Sequence, residues 1–425
     1  DALTHDRETF INEIEKVLLE VKSIQKKQGE NKMTTSTELI KEIKAPEQAG
    51  QENKQIDQTK QADNEKDNVI NGIDLTKIRE HLKRSRLDFD YLQREYNFLE
   101  SRKNKKYKKT GFDNLDDILG GGLEPGLYLI GAVPGAGKSA FFQQIGENLA
   151  DQGHNVLYIS MEMPGHILTA RAVSRILKKE HNLSVSAKDV LNLHKIEDRY
   201  TRDRIVEAYE KVCKLQDDEK RGDIYLIDNS EAKSPADFIS REKIRYYVES
   251  SKYPLREEDE CKEKDSPVVI VDYVQILRRL DSETSLDKKS VLDKHMETLK
   301  AISMEFDIPV LVISSVNRDS YKDGNTKLTL ASLKESGDIE YYAEVVLLID
   351  YDRNYQGYQK DSRFDIEKAK KHAKENRYSV YKIVIAKNRN GGDNESKIYF
   401  YGESTYFTEE KPDQKQNIGI AFDKE

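Results

Sequence analysis

The fold of this chain is decided by the stretch Leu127-Tyr-Leu-Ile-Gly-Ala-Val-Pro-Gly-Ala-Gly-Lys-Ser-Ala-Phe-Phe142. An apolar run ends at Gly131, a glycine-containing loop follows, and a helix is expected to begin at Lys138. The backbone N–H groups of such a loop converge on phosphate oxygens, and the positive end of the helix dipole favours the same anion. A lysine at this position reaches the β- and γ-phosphates of a nucleotide, and the following hydroxyl binds Mg²⁺. We therefore expect a nucleotide to bind at Val133, Pro134, Gly135, Ala136, Gly137, Lys138 and Ser139.

Two aspartates follow apolar runs and compete for the second half of a magnesium site. Asp272 ends the run Val268–Asp272, and Asp228 follows the run Ile224–Ile227. In phosphate-loop proteins a carboxylate at a strand end holds Mg²⁺. We prefer Asp272, because its run is longer and wholly apolar. Asp228 precedes Asn229 and a serine and is expected to be a turn or cap residue.

A carboxylate that could orient the attacking water follows another apolar run. Glu162 comes directly after Val156–Ser160, which places it at the expected carboxyl edge of the sheet. Such a group can act as a general base beside the phosphates. We interpret Glu162 as this base, and the simpler alternative is a solvated surface glutamate.

Short apolar runs alternate with helical stretches from Thr110 onward. Continuous apolar runs separated by ten or more helical residues are typical of a buried, mainly parallel sheet with helices on both faces. The charged stretches 250–266 and 352–378 are expected to be solvated loops or helical excursions. The candidate strands are Leu127–Gly131, Val156–Ser160, Ile224–Ile227, Val268–Asp272, Val310–Ser314, Val345–Ile349 and Tyr381–Ala386, with Lys397–Tyr401 as an edge hairpin.

The rest of the chain is more polar and contains helical and flexible segments. Residues 1–26 carry an amphipathic helix, 27–73 have the composition of a flexible linker, and 74–106 read as a linker helix. The α/β domain is expected over 107–408 and a tail over 409–425. The chain starts with Asp1 rather than methionine, which suggests a fragment of a longer protein.

Composition limits the class of protein. The chain is 36% hydrophobic and 35% charged with a net charge of −8, so it is not a globally basic nucleic-acid-binding protein. Local positive charge would still suffice for a DNA channel. Cys213 and Cys261 fit no zinc spacing and are interpreted as reduced thiols of a cytoplasmic protein. No apolar run is long enough to span a membrane, so no membrane partner is expected.

Six motifs in order give the chain a family resemblance. Together they resemble the RecA-like ATPase domain of DnaB-type replicative helicases, including the helicase half of phage and mobile-element primase-helicases, over about 107–408. The family tolerates alanine at position 132, where the general phosphate-loop pattern has glycine. The motifs are Ala132-Val-Pro-Gly-Ala-Gly-Lys-Ser139, Ser160-Met-Glu-Met163, Ile270-Val-Asp-Tyr-Val-Gln-Ile276, Ser314-Ser-Val-Asn-Arg318, Leu333-Lys-Glu-Ser-Gly337 and Lys387-Asn-Arg-Asn-Gly391.

The resemblance implies a hexameric ring that binds ATP and Mg²⁺ between subunits and moves along single-stranded DNA, usually 5′ to 3′. Glu162 looks like the catalytic glutamate. Lys387 and Arg389 look like the pair that reaches the γ-phosphate of the neighbouring subunit's ATP. For Arg389 the alternative is a surface residue in a hairpin turn.

The family's channel loop, which grips the DNA backbone, corresponds here to Lys334, Glu335 and Gly337, and Arg318 is a weaker candidate. A helix cap around these residues is the alternative. Two positions depart from the family, since Ser315 stands where a glutamine is usual and Glu344 where an aspartate is expected. The shorter Ser315 puts the coupling of ATP to DNA in doubt.

Asp1–Phe10 resembles the segment after the primase domain of some primase-helicases, which implies a primase domain on a preceding part of the chain. The sequence itself has no zinc-ribbon cysteines and no acidic primase cluster, so it is not expected to prime. Two other functions remain open at this stage. One is a RadA-type recombination ATPase, and the other is an ATP-binding loader or regulator that does not unwind DNA.

Overall fold

The chain divides into two units, Asp1–Lys106 and Tyr107–Glu425. The computed structural model describes residues 69–70, 73–74, 80, 82–83, 86–87, 91–92, 97, 107–133, 135–213, 221–230, 232–234, 237–251, 266–317, 327–333, 339–361, 363–389 and 395–412. The amphipathic helix expected over 1–26 lies outside these residues, as does the linker up to residue 68.

In the first unit, the short strands β1 (Val69–Ile70) and β2 (Ile73–Asp74) form an antiparallel pair. The expected linker helix therefore does not begin at Asp74. Helical residues occur later, at positions 80, 82–83, 91–92 and 97.

The second unit is built on a nine-stranded sheet with the order β13-β12-β11-β8-β3-β7-β6-β4-β5. The strands from β8 to β5 in this order are parallel, and β11, β12 and β13 continue the sheet in antiparallel pairs. The predicted mainly parallel sheet is thus confirmed. The strands are β3 (Gly126–Ala132), β4 (Val156–Ser160), β5 (Ile224–Ile227), β6 (Val268–Asp272), β7 (Pro309–Ile313), β8 (Val345–Tyr351), β9 (Gln359–Lys360), β10 (Arg363–Phe364), β11 (Ser379–Asn388), β12 (Glu395–Tyr401) and β13 (Tyr406–Thr408).

Burial explains which apolar runs became central strands. Every residue of β3, β4, β6 and β7 is buried, as expected for parallel strands covered by helices on both faces. β5 lies at the end of the sheet, and its Leu226 is exposed. The predicted edge hairpin is confirmed, because β12, which contains Lys397–Tyr401, pairs with β13 after a short turn and these two strands end this side of the sheet.

Helices connect the parallel strands. Side-chain oxygens of Ser186, Asp198, Ser240, Asp287 and Asp365 accept backbone N–H groups at the starts of α4, α5, α6, α7 and α9, as is typical of N-caps. The helices among the described residues are α1 (Asp113–Ile118), α2 (Lys138–Asp151), α3 (Gly165–His181), α4 (Ala187–Leu191), α5 (Arg199–Val212), α6 (Arg241–Ser250), α7 (Lys288–Glu305), α8 (Ile339–Tyr342) and α9 (Ile366–Asn376). Within the described part of the chain, none of these helices is both long and apolar enough to cross a membrane.

The charged stretch 352–378 folds as a small helical addition beside the sheet. It contains the β9–β10 hairpin and α9, and its centre is the fully buried Tyr358. The Tyr358 hydroxyl accepts the backbone N–H of Val380 on β11 at 2.5 Å. One of the two expectations for this stretch, a helical excursion, is therefore confirmed. Most of the other charged stretch, 252–265, lies outside the described residues.

Candidate nucleotide-binding site

The phosphate loop leaves the carboxyl end of β3 and enters α2 at Lys138. Gly135 and Gly137 have φ angles of 81° and 83°, a backbone conformation that glycine adopts without steric cost. At Gly137 an added Cβ would also lie 2.8 Å from Cζ of Phe400. The loop therefore needs glycine at position 137 for both backbone and space. Pro134 lies outside the described residues.

Lys138 is half-buried beside two carboxylates. Its Nζ donates to the carbonyl oxygen of Ala132 at 3.4 Å, so the side chain folds back over its own loop. Burial lowers the pKa of Lys138, and the negative charges of Asp272 and Glu162 oppose this shift. The side chain therefore lies at the start of α2, where a phosphate would bind.

Asp272 is the last residue of β6 and is fully buried. Its Oδ2 accepts the hydroxyl of Tyr158 at 2.9 Å, and Ser139 of the phosphate loop also hydrogen-bonds to its side chain. Burial raises the pKa of Asp272, whereas these two hydrogen bonds lower it. The other oxygen, Oδ1, is buried and has no hydrogen-bond partner among the described residues.

This donor set fits a magnesium ion. A hard divalent cation binds oxygen ligands, and Oδ1 of Asp272 and Oγ of Ser139 provide two oxygens next to the phosphate loop. Within the described part of the chain, no group of three or more His, Cys, Asp and Glu side chains could hold a metal. An ion at Asp272 would therefore complete its coordination with phosphate and water oxygens, as Mg²⁺ usually does.

Asp228 has a structural role, as the sequence predicted. Its Oδ2 accepts the N–H of Gly165, the first residue of α3, at 2.5 Å, and its Oδ1 accepts the N–H of Ser230 at 2.8 Å. These hydrogen bonds account for its place after β5 without a metal.

Glu162 lies on the same edge of the sheet as Asp272. Two hydrogen bonds stabilise the turn that contains Glu162. Met161 N donates to the Asp272 carbonyl at 2.7 Å, and the Ser160 hydroxyl donates to the Met163 carbonyl at 2.6 Å. The Glu162 side chain is exposed, and its charge acts on the pKa of both Lys138 and Asp272. A nucleotide phosphate between these groups would face an accessible carboxylate.

Tyr158 and Arg171 belong to this site but carried no sequence signal. Tyr158 lies inside the apolar run of β4 and resembles a core residue. Arg171 lies on α3 in no motif, and burial lowers its pKa while the charges of Asp272 and Glu162 oppose that shift. Only the folded chain brings these side chains near Asp272, Tyr158 from the neighbouring strand β4 and Arg171 from α3.

Lys387 and Arg389 are not brought to the phosphate loop of their own chain. Lys387 pairs with Val346 of β8, and Val346 pairs with Leu129 of β3, three residues before the last residue of that strand. Arg389 lies still farther from the loop, where its Nη2 donates to the Tyr341 carbonyl at 2.8 Å. Its side chain is half exposed. Both residues therefore lie towards the opposite edge of the sheet.

The predicted DNA-contacting residues Lys334, Glu335, Gly337 and Arg318 lie outside the described residues. The segments before them are described and touch each other. Val316 pairs with Leu333, and Asn317 N donates to the Ser332 carbonyl at 2.7 Å. The positions before both predicted contacts are thus held together near the carboxyl end of β7.

A cavity of about 390 Å³ opens beside the phosphate loop. It lies between the loop, the end of α9 and strands β11 and β12. Cationic, aromatic and acidic side chains share its wall, so it could accept a ligand with both polar and ring surfaces. Its lining includes Gly135, Lys374, Arg377, Tyr378, Phe400 and Glu403.

Comparison with known sequences gives one family. The sequence profile of the DnaB-like helicase C terminal domain matches residues 108–409. The replicative DNA helicase DnaB of Haemophilus influenzae is 25% identical over 300 residues, which cover 70% of this chain and 54% of that protein. DnaB of Geobacillus stearothermophilus is 26% identical over 301 residues, covering 70% of this chain and 55% of that protein. The chain spans about half the length of the curated relatives it matches.

Two solved structures share the fold. One is the structure of an ATPase domain, which superimposes with a TM-score of 0.57 and 19% identity, covering 76% of this chain and 99% of that one. The other, a DnaB-like replicative helicase described with its interactions with primase, gives a TM-score of 0.57 and 20% identity over 76% of this chain and 67% of its own. At this level of identity the likeness concerns the fold alone.

Proposed function

Because the chain belongs to the DnaB-like helicase C-terminal domain family and has its RecA-like fold, we propose that it is the ATP-hydrolysing motor of a replicative DNA helicase. One observation carries the proposal. The phosphate loop, Asp272 and Glu162 lie at one edge of the sheet, and Lys387 and Arg389 lie at the other. Each subunit thus has two complementary halves of a catalytic site.

ATP would bind with its phosphates on the backbone of the loop from Val133 to Gly137, including Pro134 and Ala136. Lys138 would contact the β- and γ-phosphates, because it is the first residue of α2 and the N-terminus of a helix attracts anions. Ser139 and Asp272 would hold Mg²⁺, which supplies positive charge against the charge that develops on the phosphates. The base and ribose would bind in the cavity next to Gly135.

Glu162 would accept a proton from, or orient, the water that attacks the γ-phosphate. Its carboxylate is accessible, and the hydrogen bonds of Met161 and Ser160 fix the turn that carries it. A correctly placed general base contributes about 10²- to 10⁴-fold to a rate. Asp272 cannot take this role while it is buried against Tyr158 and holds the ion.

Lys387 and Arg389 would act on ATP bound to a neighbouring copy of the chain. This requires a head-to-tail assembly, in which the sheet edge with Lys387 and Arg389 of one subunit meets the sheet edge with the phosphate loop of the next. A hexameric ring is such an assembly closed on itself. A cation supplied in trans stabilises transition-state charge and makes hydrolysis depend on assembly. The exposed guanidinium of Arg389 supports this arrangement.

Single-stranded DNA would pass through the ring in the 5′ to 3′ direction, held by Lys334, Glu335, Gly337 and Arg318. Lysine, arginine and backbone N–H groups grip phosphates without reading sequence. The contact between Asn317 and Ser332 supports a common surface for these positions, since it joins the segments that lead into them. A primase domain is a further proposed partner, by analogy with the DnaB-like helicase described with primase.

The proposal is tested by unwinding of forked DNA carrying a 5′ or a 3′ single-stranded tail, with mass measurement in the presence and absence of ATP. The expected result is a hexamer that unwinds the 5′-tailed fork, while Lys138→Ala is inactive. Binding of ATP and DNA without unwinding would instead indicate a loader or regulator. The family match does not favour the RadA-type alternative. Formation of filaments on DNA, instead of rings, would support that alternative.

A further inference from the structure

Gln275 joins the carboxyl ends of two neighbouring strands. It lies in the 3₁₀ turn Val274–Ile276, three residues after Asp272, and its Nε2 donates to Oγ of Ser314 at 2.7 Å. Ser314 directly follows β7 and is fully buried. Oε1 of Gln275 is also buried and has no hydrogen-bond partner among the described residues.

Ser314 is held in turn by the strand that carries the phosphate loop. Its backbone N–H donates to the carbonyl oxygen of Ile130 on β3 at 2.9 Å. Because β7 lies between β3 and β6, Ser314 is placed between the phosphate loop and Asp272. Gln275 therefore links the magnesium side of the site to the strand that separates it from the loop.

The segment after Ser314 packs directly against the same strand. Val316 pairs with Leu333, and both side chains cover Gly131, the residue before the last of β3. A Cβ added at Gly131 would lie 2.6 Å from Cδ2 of Leu333 and 3.3 Å from Cγ1 of Val316. The side chains of Val316 and Leu333 leave no empty space around Gly131, so a movement of β3 at this residue must also move the Val316–Leu333 pair.

We propose that Gln275 is a positioning residue that couples the nucleotide site to the Val316–Leu333 pair through its hydrogen bond to Ser314. The proposal rests on the proposed function, in which the residues after this pair contact DNA. Ser315 has only a short hydroxymethyl side chain. The long polar side chain that connects β6 to the end of β7 is therefore that of Gln275. Leaving the buried Oε1 of Gln275 without a hydrogen-bond donor costs free energy. If the nucleotide site brings a donor close to this oxygen, the preferred position of the Gln275 amide shifts.

The test compares ATP hydrolysis by the full chain with and without an oligothymidylate. We expect Gln275→Leu to keep the DNA-free rate and the affinity for a fluorescent ADP, and to lose DNA stimulation by about fivefold or more, the lower end of allosteric coupling factors. Ser314→Ala removes the acceptor with a smaller change of volume and should give the same loss. The double variant should be no worse than either single one, because both remove one hydrogen bond.

Gln152→Leu is the matched control. The Gln152 amide bonds to the carbonyls of Lys109 and Asn148 at the far end of α2, so its loss should leave DNA stimulation intact. If the unmodified chain is stimulated and Gln275→Leu and Ser314→Ala are stimulated equally, the inference is overturned while the proposed function stands. A parallel fall of the DNA-free and DNA-stimulated rates also overturns it, because that result means a purely structural role. A chain that DNA does not stimulate overturns the proposed function as well.

Discussion

Lys138 and Arg389 lie at opposite edges of the central sheet. The backbone N–H of Arg389 donates to the carbonyl of Glu344 at 3.0 Å, and Glu344 Oε2 accepts the N–H of Leu127 at 2.7 Å, so Arg389 lies beside the start of β3. Lys138 follows the end of that strand. The strand from Leu127 to Ala132 spans roughly 17 Å, which is too far for Arg389 to serve its own phosphate loop.

Arg389→Ala should abolish ATP hydrolysis and leave the assembly intact. Loss of an arginine finger costs about 10³-fold or more in kcat, because no other group neutralises the transition-state charge from that side. The sharper measurement mixes Arg389→Ala with Lys138→Ala subunits. Mixed assemblies contain interfaces with an intact loop from one subunit and an intact finger from the other, so part of the activity should return.

The control for this experiment is Arg199→Ala, which changes an arginine of α5 whose side chain is 87% exposed and pairs only with Asp203 among the described residues. Its rate should match that of the unmodified chain. An Arg389→Ala protein that hydrolyses ATP normally with DNA present would show that the finger assignment is wrong. Failure of the mixture to regain activity would argue against action in trans.

Glu162→Gln should separate binding from hydrolysis. The amide keeps the size of the side chain but cannot accept a proton, so kcat should fall about 10²- to 10⁴-fold. Affinity for ATP should change little or increase, because a negative charge near the phosphates is removed. Equilibrium binding of a fluorescent ATP analogue and single-turnover rates measure the two effects, with Glu180→Gln, far along α3, as the control. Unchanged turnover would exclude Glu162 as the base.

Two glycines of the phosphate loop provide a matched pair. Both have φ near 80°, so alanine is strained at either position, by about 1 kcal/mol or more. At Gly137 the new Cβ would also lie 2.8 Å from Phe400, whereas at Gly135 nothing lies within 4 Å. We expect Gly137→Ala to lower the free energy of unfolding more than Gly135→Ala, as measured by urea denaturation. Equal losses would mean that the contact with Phe400 is unimportant.

Local sequence predicted the central strands well because burial on both faces demands continuous apolar runs. The bounds of β4, β5 and β6 are those expected. Asp228 forms turn and helix-start hydrogen bonds, as expected, whereas the preference for Asp272 as the magnesium ligand stays a prediction. What the sequence could not predict depends on strand order, which no local pattern encodes. The hydrogen bond of Tyr158 to Asp272 and that of Gln275 to Ser314 exist only because β4, β6 and β7 are neighbours.

A buried charged network joins the segment after β6 to α6 and α7. Arg241 of α6 forms hydrogen bonds with both carboxylate oxygens of Glu283, at 2.8 and 2.5 Å, and its Nη1 lies 3.4 Å from Nδ1 of His295 on α7. Lys294 also pairs with Glu283 at 3.1 Å. Burial, reinforced by the charge of Arg241, lowers the pKa of His295 to about 4. The hydrogen bond from Arg241 lowers the pKa of Glu283 to about 2.

Both shifts make the folded chain less stable in acid, in successive pH ranges. His295 stays neutral in the folded state while the unfolded chain takes up a proton near its ordinary value of 6.5, so stability falls as pH drops from 6.5 towards 4. The loss from Glu283 follows between 4.5 and about 2. The substitution His295→Gln removes the first of these groups. Between pH 6.5 and 4, the free energy of unfolding of this variant should therefore fall less than that of the unmodified chain, by up to about 3 kcal/mol. Urea denaturation at pH 7, 6, 5 and 4 measures this, with the exposed His166→Gln as the control. If His295→Gln and the unmodified chain lose stability in parallel over that range, His295 does not titrate as the buried network requires.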